Sequence, residues 1–322
     1  MVAINNCKDK FNSVIIIKTK KLMEKNMEKY NLVQGVMPAI LSVYDEERNV
    51  IKDTVTKMVN YHLDNGMTGF YVGGNTGECT ILPNKTRKQM LEVVKEANAG
   101  RGKIIVHVGA GHIDDVYDLI DHANEVGVDA VASLPPSLMA YYKMDEIVEY
   151  YRIIAKRSKA PVLAYVTGVL QGDILGFVGQ LTQIDNIIGV KMSIPDYFLF
   201  GKITAAYGDK FSIYNGPDEC MICGISVGAE GAIGSTYNML PKLSASIYDA
   251  FKVGDMKKAL DAQRKMNAVI DVLIQKNAYW KGAMTLLGYD MGCYVEPRKA
   301  LDEEGLKELK AKLDKVGFFD LI

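Results

Sequence analysis

Cysteine is scarce in this sequence: five residues are scattered over 322 positions. An odd and dispersed set argues against a disulfide framework and predicts a reducing, cytoplasmic compartment. Cys220 and Cys223 do form a C-x-x-C pair. A redox role would need a thioredoxin-like context and a zinc site a second ligand pair, and the sequence supplies neither. We interpret the two cysteines as small buried hydrophobic residues at the start of a helix.

An excess of charge and long apolar runs are also missing. The 38 basic and 39 acidic residues leave a formal net charge of −1, so no basic field exists to hold nucleic acid or an anionic membrane. The longest apolar stretches fall far below the roughly 20 residues of a membrane span. Dinucleotide-binding and P-loop motifs are absent, and the four histidines lack zinc-ligand spacing. We therefore expect a small-molecule substrate, with no metal, cofactor, nucleic acid or membrane as a partner.

The amino-terminal segment lacks the pattern of a folded element. Residues 1–32 mix Lys, Asn and Met around the short apolar run Val14–Ile17. That run is too short for the core of a signal peptide, and no small-residue cleavage site follows it. We predict a tail outside the fold, and we consider Met23 and Met27 as alternative natural starts.

From residue 33 onward, apolar strand-like runs alternate with amphipathic helical stretches. Most runs are continuous, as expected for parallel strands covered on both faces. The predicted strands are Gly35–Leu41, Gly69–Gly73, Ile104–Gly109, Ala130–Leu134, Val162–Val166, Ile187–Met192, Phe211–Asn215 and Gly231–Gly234. Eight β–α units predict a (β/α)₈ TIM barrel over residues 33–240, with an open doubly wound sheet as the alternative.

After Met239 the pattern becomes entirely helical. The predicted helices are Lys242–Lys252, Met256–Gln275, Trp280–Leu287 and Glu303–Leu313. Because they follow the eighth unit, we expect a C-terminal helical appendix over residues 241–322 that packs on the barrel and forms no separate core.

Two reactive side chains end neighbouring predicted strands, where the active site of such a barrel lies. Lys191 ends the sixth strand. At the barrel mouth its amine would be partly desolvated, and in the neutral form it would attack a ketone to form an iminium, an electron sink. Tyr165 on the fifth strand is placed to shuttle the proton. The alternatives are a lysine that marks the exit to water and a tyrosine that fills the barrel.

Small polar residues follow two further strands. Asn75, Thr76 and Gly77 follow the second strand, where backbone N–H groups can approach an anion. They predict a carboxylate cradle, with a plain glycine-rich turn as the alternative. Asp218 and Glu219 follow the seventh strand and would accept hydrogen bonds from a polyhydroxyl substrate. Their alternative role is to cap and begin a helix.

Together these motifs resemble the pyruvate-dependent class I aldolases, the family that includes dihydrodipicolinate synthase and N-acetylneuraminate lyase. The resemblance runs from about Gly35 to the carboxyl terminus. The motifs are Gly73-Gly74-Asn75-Thr76-Gly77-Glu78, Gly189-Val190-Lys191, Tyr214-Asn215-Gly216-Pro217-Asp218-Glu219 and Gly234-Ser235-Thr236-Tyr237-Asn238. The resemblance implies that Lys191 forms a Schiff base, that Tyr165 relays the proton, and that Asn75–Gly77 contacts the pyruvate carboxylate.

Several positions favour the family members that cleave sialic acid. Leu170 stands where the synthases carry arginine, and Gly172 follows it as in the sialic acid lyases. Positions that resemble the substrate contacts of those members are Ser193, Gly216, Asp218, Glu219 and Ser235. The resemblance thus implies cleavage of N-acetylneuraminate to N-acetylmannosamine and pyruvate. The alternatives are a pyruvate aldolase or synthase for another 2-keto-3-deoxy acid and a sugar-acid-binding barrel without turnover.

Three segments differ from the family pattern. Val166-Thr167-Gly168 replaces the usual Asn, hydrophobic residue and Pro after the relay tyrosine, and Asn75 stands where the lyases usually have serine. The loop Pro135-Pro136-Ser137-Leu138-Met139 lacks the usual tyrosine, although Tyr141 and Tyr142 follow it. Either of these is a candidate for the relay tyrosine that the family lends to a neighbouring subunit. The resemblance also implies a homotetramer.

Overall fold

A computed structural model describes residues 32–136, 142–168 and 170–322, and a sheet of eight parallel strands lies at its centre. The strands are β1 Gly35–Pro38, β2 Gly69–Val72, β3 Lys103–His107, β4 Ala130–Ser133, β5 Val162–Thr167, β6 Ile187–Ser193, β7 Ser212–Asn215 and β8 Gly231–Gly234. Strand β1 pairs with β8, and a parallel bridge between Ala39 and Tyr71 joins it to β2. The sheet therefore closes on itself, which confirms the barrel and excludes the open sheet.

Helices connect successive strands and cover the outside of the barrel. They are α1 Lys52–Asp64, α2 Asn84–Asn98, α3 Ile113–Val126, α4 Met144–Arg157, α5 Ile174–Leu181, α6 Tyr197–Tyr207 and α7 Met221–Ser226. Gly127 ends α3 in the left-handed conformation, which glycine adopts without a Cβ clash. The alternation of strand and helix agrees with the predicted units.

Apolar side chains form two layers, as the alternation of a strand requires. On β2, Phe70 packs outward against the helices, whereas Tyr71 joins a smaller cluster with Ile105 and Leu163. That inner cluster fills the barrel. Burying each large aliphatic side chain contributes roughly 1.5–3 kcal/mol.

The amino end of the barrel is closed by the chain that enters it. Leu32, the first described residue, is buried in the inner cluster. The Tyr214 hydroxyl accepts a hydrogen bond from the Val33 N–H at 3.1 Å and donates one to the Val33 carbonyl at 2.9 Å. In the described part of the chain, the carboxyl end of the strands therefore remains open to a substrate. Residues 1–31 of the tail predicted over residues 1–32 lie outside the described residues, whereas Leu32 is part of the fold.

Four further helices follow β8, as predicted. They are α8 Pro241–Lys252, α9 Met256–Leu273, α10 Ala278–Leu286 and α11 Glu303–Lys315. The carboxyl-terminal segment returns to the barrel, where the Cys293 N–H donates to the Tyr44 carbonyl at 3.0 Å. No helix in the described part of the chain is both long and apolar enough to span a membrane.

The C-x-x-C pair does lie at the start of a helix, but the prediction that both cysteines are buried is wrong. Cys220 immediately precedes α7 and is partly exposed, and Cys223 in its first turn is exposed. The helix buries the side that carries Met221, Ile222 and Ile225, and Cys223 lies on the opposite, solvent-exposed side.

Candidate active site

Lys191 lies inside the barrel mouth, near the carboxyl end of β6. Its side chain is 5% exposed, and its Nζ lies 4.5 Å from the centroid of the Tyr165 ring and 5.0 Å from that of Tyr71. Gly189, two residues earlier, sets the path of the strand. A Cβ there would stand 2.0 Å from the Ser212 carbonyl oxygen, so only glycine lets β6 approach β7 this closely. The amine is thus held between two aromatic rings with little access to water.

Tyr165 stands directly opposite Lys191 in the ladder between β5 and β6. Its hydroxyl accepts a hydrogen bond from the Ser193 hydroxyl at 3.1 Å. Its backbone is held from behind by the Tyr151 hydroxyl, which accepts from the Tyr165 N–H at 3.2 Å. The structure therefore brings three residues singled out in the sequence to one point: the amine, the phenol and the serine that orients the phenol.

The loop after β2 and the end of β8 meet at the rim. The Thr76 and Ser235 hydroxyls are hydrogen-bonded at 2.6 Å. The Gly77 carbonyl accepts from the Ser42 hydroxyl at 2.8 Å, which anchors the loop to the segment after β1. Asn75 is exposed at the tip of the loop. These contacts hold the loop of the predicted cradle at the carboxyl ends of β1, β2 and β8.

The two acids after β7 lie in different environments. Asp218 is buried, and its Oδ2 accepts from the Thr236 N–H at 2.7 Å. Burial raises the pKa of Asp218 to about 6, against the Thr236 hydrogen bonds and the charge of Lys191, which lower it. Glu219 is exposed. The Asp218 carboxylate therefore packs against the segment that follows β8, and Glu219 is open to solvent.

Gly216 brings the loop after β7 against β6. Its N–H donates to the Met192 carbonyl at 2.7 Å, and a Cβ on it would stand 1.9 Å from the Ser193 Oγ. The absence of a side chain at this position lets Ser193 keep its contact with Tyr165.

Tyr71 and His107 also line this region, and sequence reasoning did not assign either to the site. The Tyr71 ring lies 6.2 Å from the imidazole of His107, and its buried hydroxyl has no hydrogen-bond partner among the described residues. Burial and the charge of Arg87 lower the pKa of His107, so the imidazole is neutral. Its Nε2 accepts from the Leu134 N–H at 2.9 Å and joins the ends of β3 and β4. The strand alternation that turns Tyr71 inward was the available signal.

A cavity of about 400 Å³ adjoins these residues between the loops after β2, β3 and β4. Asn75, His107, Pro136 and Thr167 are among its lining residues. The Thr167 hydroxyl is buried and has no partner in the described part of the chain. The segment that differs from the family pattern therefore contributes directly to the wall of this cavity.

Comparison with known proteins gives a consistent result. A profile of the dihydrodipicolinate synthetase family matches residues 32–316. N-acetylneuraminate lyase of Citrobacter koseri is 32% identical over 286 residues, or 87% of this chain and 95% of that protein. The sialic acid aldolase structure of Ruminococcus gnavus superposes with a TM-score of 0.82 at 29% identity, covering 90% of this chain and 100% of that one. This chain belongs to the dihydrodipicolinate synthetase family.

The family fold does not by itself decide the substrate. A dihydrodipicolinate synthase of Bacillus anthracis superposes with a TM-score of 0.81 at 26% identity, covering 87% of this chain and 97% of that one. The described residues of this chain contain no group of three His, Cys, Asp or Glu side chains arranged to hold a metal ion. Because lyases and synthases share this fold, the side chains at the barrel mouth must set the choice of substrate.

Two tyrosines remain candidates for a relay across subunits. Tyr141 lies outside the described residues. Tyr142 is 46% exposed just before α4 and lines a groove with Gly111, Pro136 and Glu146 on the flank of the barrel. The Tyr142 ring is therefore accessible to solvent on the flank of the barrel.

Proposed function

We propose that this enzyme is a Schiff-base lyase that cleaves N-acetylneuraminate to N-acetylmannosamine and pyruvate. The observation that carries the proposal is the buried Lys191 amine, paired in register with Tyr165 at the mouth of the barrel. Relatives whose names specify this activity, such as the lyase of Citrobacter koseri, support the choice of substrate.

The reaction starts when the neutral Lys191 amine attacks the C2 ketone of the open-chain substrate, and loss of water forms the iminium. Tyr165 gives its proton to the hydroxyl that leaves as water and then, as the phenolate, takes the proton from the C4 hydroxyl, helped by the substrate carboxylate. The C3–C4 bond breaks, its electrons flow into the iminium, and N-acetylmannosamine leaves as the aldehyde. Protonation of the enamine and attack by water release pyruvate and the free amine.

The rim residues would bind the two ends of the substrate. We assign Asn75, Thr76 and Gly77 to the carboxylate, because the loop presents backbone N–H groups and the Thr76 hydroxyl near the strand ends. We assign the hydroxyl groups of the sugar chain to a separate set of polar positions. These are Ser193, Gly216, Asp218, Glu219 and Ser235.

Reductive trapping tests the proposal. Borohydride reduces an iminium to a stable amine, so pyruvate plus borohydride should add the mass of one reduced pyruvate imine to the intact protein. Peptide mapping should place the addition at Lys191, and Lys191→Ala should abolish it. A barrel that binds sugar acids without turnover would gain no mass. Release of pyruvate from N-acetylneuraminate then tests the substrate.

A second candidate is a lyase or synthase for another 2-keto-3-deoxy acid. It is favoured by Asn75 and Thr167, which depart from the family pattern and both line the cavity. A panel of keto acids separates the two candidates. If N-acetylneuraminate is the substrate, Asp218→Ala should reduce cleavage of that acid selectively and leave pyruvate trapping intact.

The exposed tyrosine before α4 bears on how the enzyme assembles. We propose a cytoplasmic homotetramer in which Tyr141 or Tyr142 of one subunit reaches the relay of its neighbour. The exposure of Tyr142 supports this arrangement. Light scattering would test the tetramer. Tyr142→Phe and Tyr141→Phe would show which hydroxyl contributes to kcat.

A further inference from the structure

Glu78, one residue beyond the cradle, has an unusual backbone and environment for a glutamate. It is 4% exposed and has a φ of 61°, in the left-handed region that costs a residue with a side chain about 1–2 kcal/mol. A buried carboxylate also has to be compensated by charges and hydrogen bonds. Both features indicate that strong contacts hold this residue in place.

Those contacts all come from outside its own loop. The Tyr44 hydroxyl, from the segment after β1, donates to Oε2 of Glu78. Lys281 of α10 places its Nζ 3.6 Å from Oε2, and Arg298 of the carboxyl-terminal segment places Nη1 3.5 Å from Oε1. Lys281 is itself buried, and its Nζ also donates to the Cys293 carbonyl at 2.7 Å. The carboxylate thus joins the barrel rim to the helical appendix.

The backbone of Glu78 passes this restraint to the cradle. Its N–H donates to the Asn75 carbonyl at 3.0 Å, which closes the turn over Thr76 and Gly77. A second anchor is the bond from the Ser42 hydroxyl to the Gly77 carbonyl. The turn is therefore anchored at two residues, Gly77 and Glu78. Of the two, only Glu78 is held through a charged side chain.

Tyr44, whose hydroxyl binds Glu78, is itself held by the carboxyl-terminal segment. The Cys293 N–H donates to the Tyr44 carbonyl, and at Gly292 a Cβ would stand 2.1 Å from the same oxygen. The close packing of the carboxyl-terminal segment on Tyr44 leaves little freedom for the hydroxyl that binds Glu78.

We propose that Glu78 is a positioning residue that holds the Asn75–Gly77 turn in the conformation that receives the substrate carboxylate, with Lys281 and Arg298 as its fixed supports. Glu78 acts through the turn and not on the substrate. The assignment of the turn to the carboxylate rests on the proposed function.

Glu78→Gln tests the proposal because it keeps the shape of the side chain and removes the charge. In the borohydride assay, the pyruvate concentration that gives half of the maximal adduct should rise tenfold or more. The maximal adduct at saturating pyruvate should be nearly unchanged, because Lys191 is untouched. A half-saturating concentration within twofold of the wild-type value would overturn the proposal.

Glu308 offers a matched control. Like Glu78 it binds one tyrosine hydroxyl, that of Tyr279, and two cations, Lys276 and Lys312, each at 2.8 Å. Its side chain is 42% exposed, on α11, away from the cradle. Glu308→Gln should therefore leave the pyruvate dependence within twofold of wild type. An equal rise in both variants would attribute the effect to general loss of an ion cluster and would overturn the proposal.

Amide hydrogen exchange separates this inference from the proposed function. In Glu78→Gln, peptides covering residues 73–82 should exchange at least tenfold faster than in wild type and in Glu308→Gln, whether or not pyruvate is trapped. Absence of adduct in the wild-type protein would refute the proposed function, while unchanged exchange would refute the positioning role. If Glu78→Gln does not fold, Tyr44→Phe serves as the test variant. It should raise the half-saturating pyruvate concentration and speed amide exchange in residues 73–82, both by less than Glu78→Gln. Exchange at the wild-type rate in Tyr44→Phe would refute the positioning role of Glu78.

Discussion

Tyr165 and Lys191 stand opposite each other because the ladder between β5 and β6 shifts by one residue. Val162 pairs with Ile187, but Leu163 pairs with Gly189, so β6 contains one extra residue at this point. Bulges of this kind re-aim the side chains that follow them. Without the shift, Tyr165 would pair with Val190, and the amine would face away from the phenol.

This arrangement predicts separate roles for the two residues. Tyr165→Phe removes only the hydroxyl, which accepts a hydrogen bond from the Ser193 hydroxyl. If proton transfer is its task, kcat should fall by about 10²–10⁴-fold, a typical contribution of general acid–base catalysis. Steady-state cleavage of N-acetylneuraminate measures the loss.

The trapping assay provides the control for this variant. Lys191 remains in Tyr165→Phe, so pyruvate should still be trapped at saturation, although Lys191→Ala should trap none. A kcat near the wild-type value in Tyr165→Phe would assign the proton transfer to another group.

The barrel itself could be predicted from the sequence. Strands covered on both faces leave continuous apolar runs, as in β3, and a helix that ends in a glycine, such as α3 at Gly127, separates one run from the next. These signals are local, so each unit can be recognised alone. The closure of β1 on β8 follows from the number of units.

The details of the site are less accessible to sequence reasoning. Lys191 and Tyr165 could be placed at neighbouring strand ends, but their exact pairing depends on an extra residue whose position no local pattern marks. The two ion-pair partners of Glu78 are Lys281 and Arg298, which lie more than 200 positions away in the chain. Such contacts depend on how the appendix packs. The environments of Asp218 and Glu219 likewise differ because of packing around them.

Thr167→Val should not destabilise the protein. The Thr167 hydroxyl is buried without a partner among the described residues, and leaving such a group unpaired costs about 1–3 kcal/mol. Valine has nearly the same shape, so we expect the free energy of unfolding to rise by about 1 kcal/mol. Urea denaturation measures it.

Thr204→Val is the matched control for this substitution. The Thr204 hydroxyl donates to the Gly201 carbonyl at 3.0 Å and also contacts the Val227 carbonyl. Losing these bonds should cost about 1–3 kcal/mol. A clear loss of stability in Thr167→Val would show that its hydroxyl has a partner in solution.

Gly216→Ala should impair catalysis through Ser193. The added Cβ would stand 1.9 Å from the Ser193 Oγ and 2.8 Å from the Met192 carbonyl oxygen, so either the serine or the loop must move. We expect kcat to fall at least tenfold as Tyr165 loses its hydrogen bond, and overpacking should cost about 1–3 kcal/mol of stability. Gly168→Ala is the control, since a Cβ there would meet no described residue within 4 Å. Equal activity in both variants would contradict the role of Ser193.

Asp218→Asn should affect stability and substrate binding in opposite directions. Burial raises the Asp218 pKa from 3.8 to about 6, so the folded protein binds this proton more tightly than the unfolded chain does. The ionised carboxylate therefore destabilises the fold above pH 6, by roughly 3 kcal/mol from the size of the shift. Asparagine removes that charge. The variant should be more stable than wild type at pH 7.5, and the difference should fade as the pH falls from 6 to 4.

Binding of N-acetylneuraminate should respond to the same ionisation. A charged acceptor strengthens a hydrogen bond from a sugar hydroxyl, so KM of the wild type should rise as the pH falls through about 6. In Asp218→Asn, KM should be raised by about 10–100-fold at pH 7.5 and should lose this inflection. Pyruvate trapping, which does not involve the sugar chain, is the control. A variant that keeps the wild-type KM and its pH dependence would show that Asp218 does not contact the substrate.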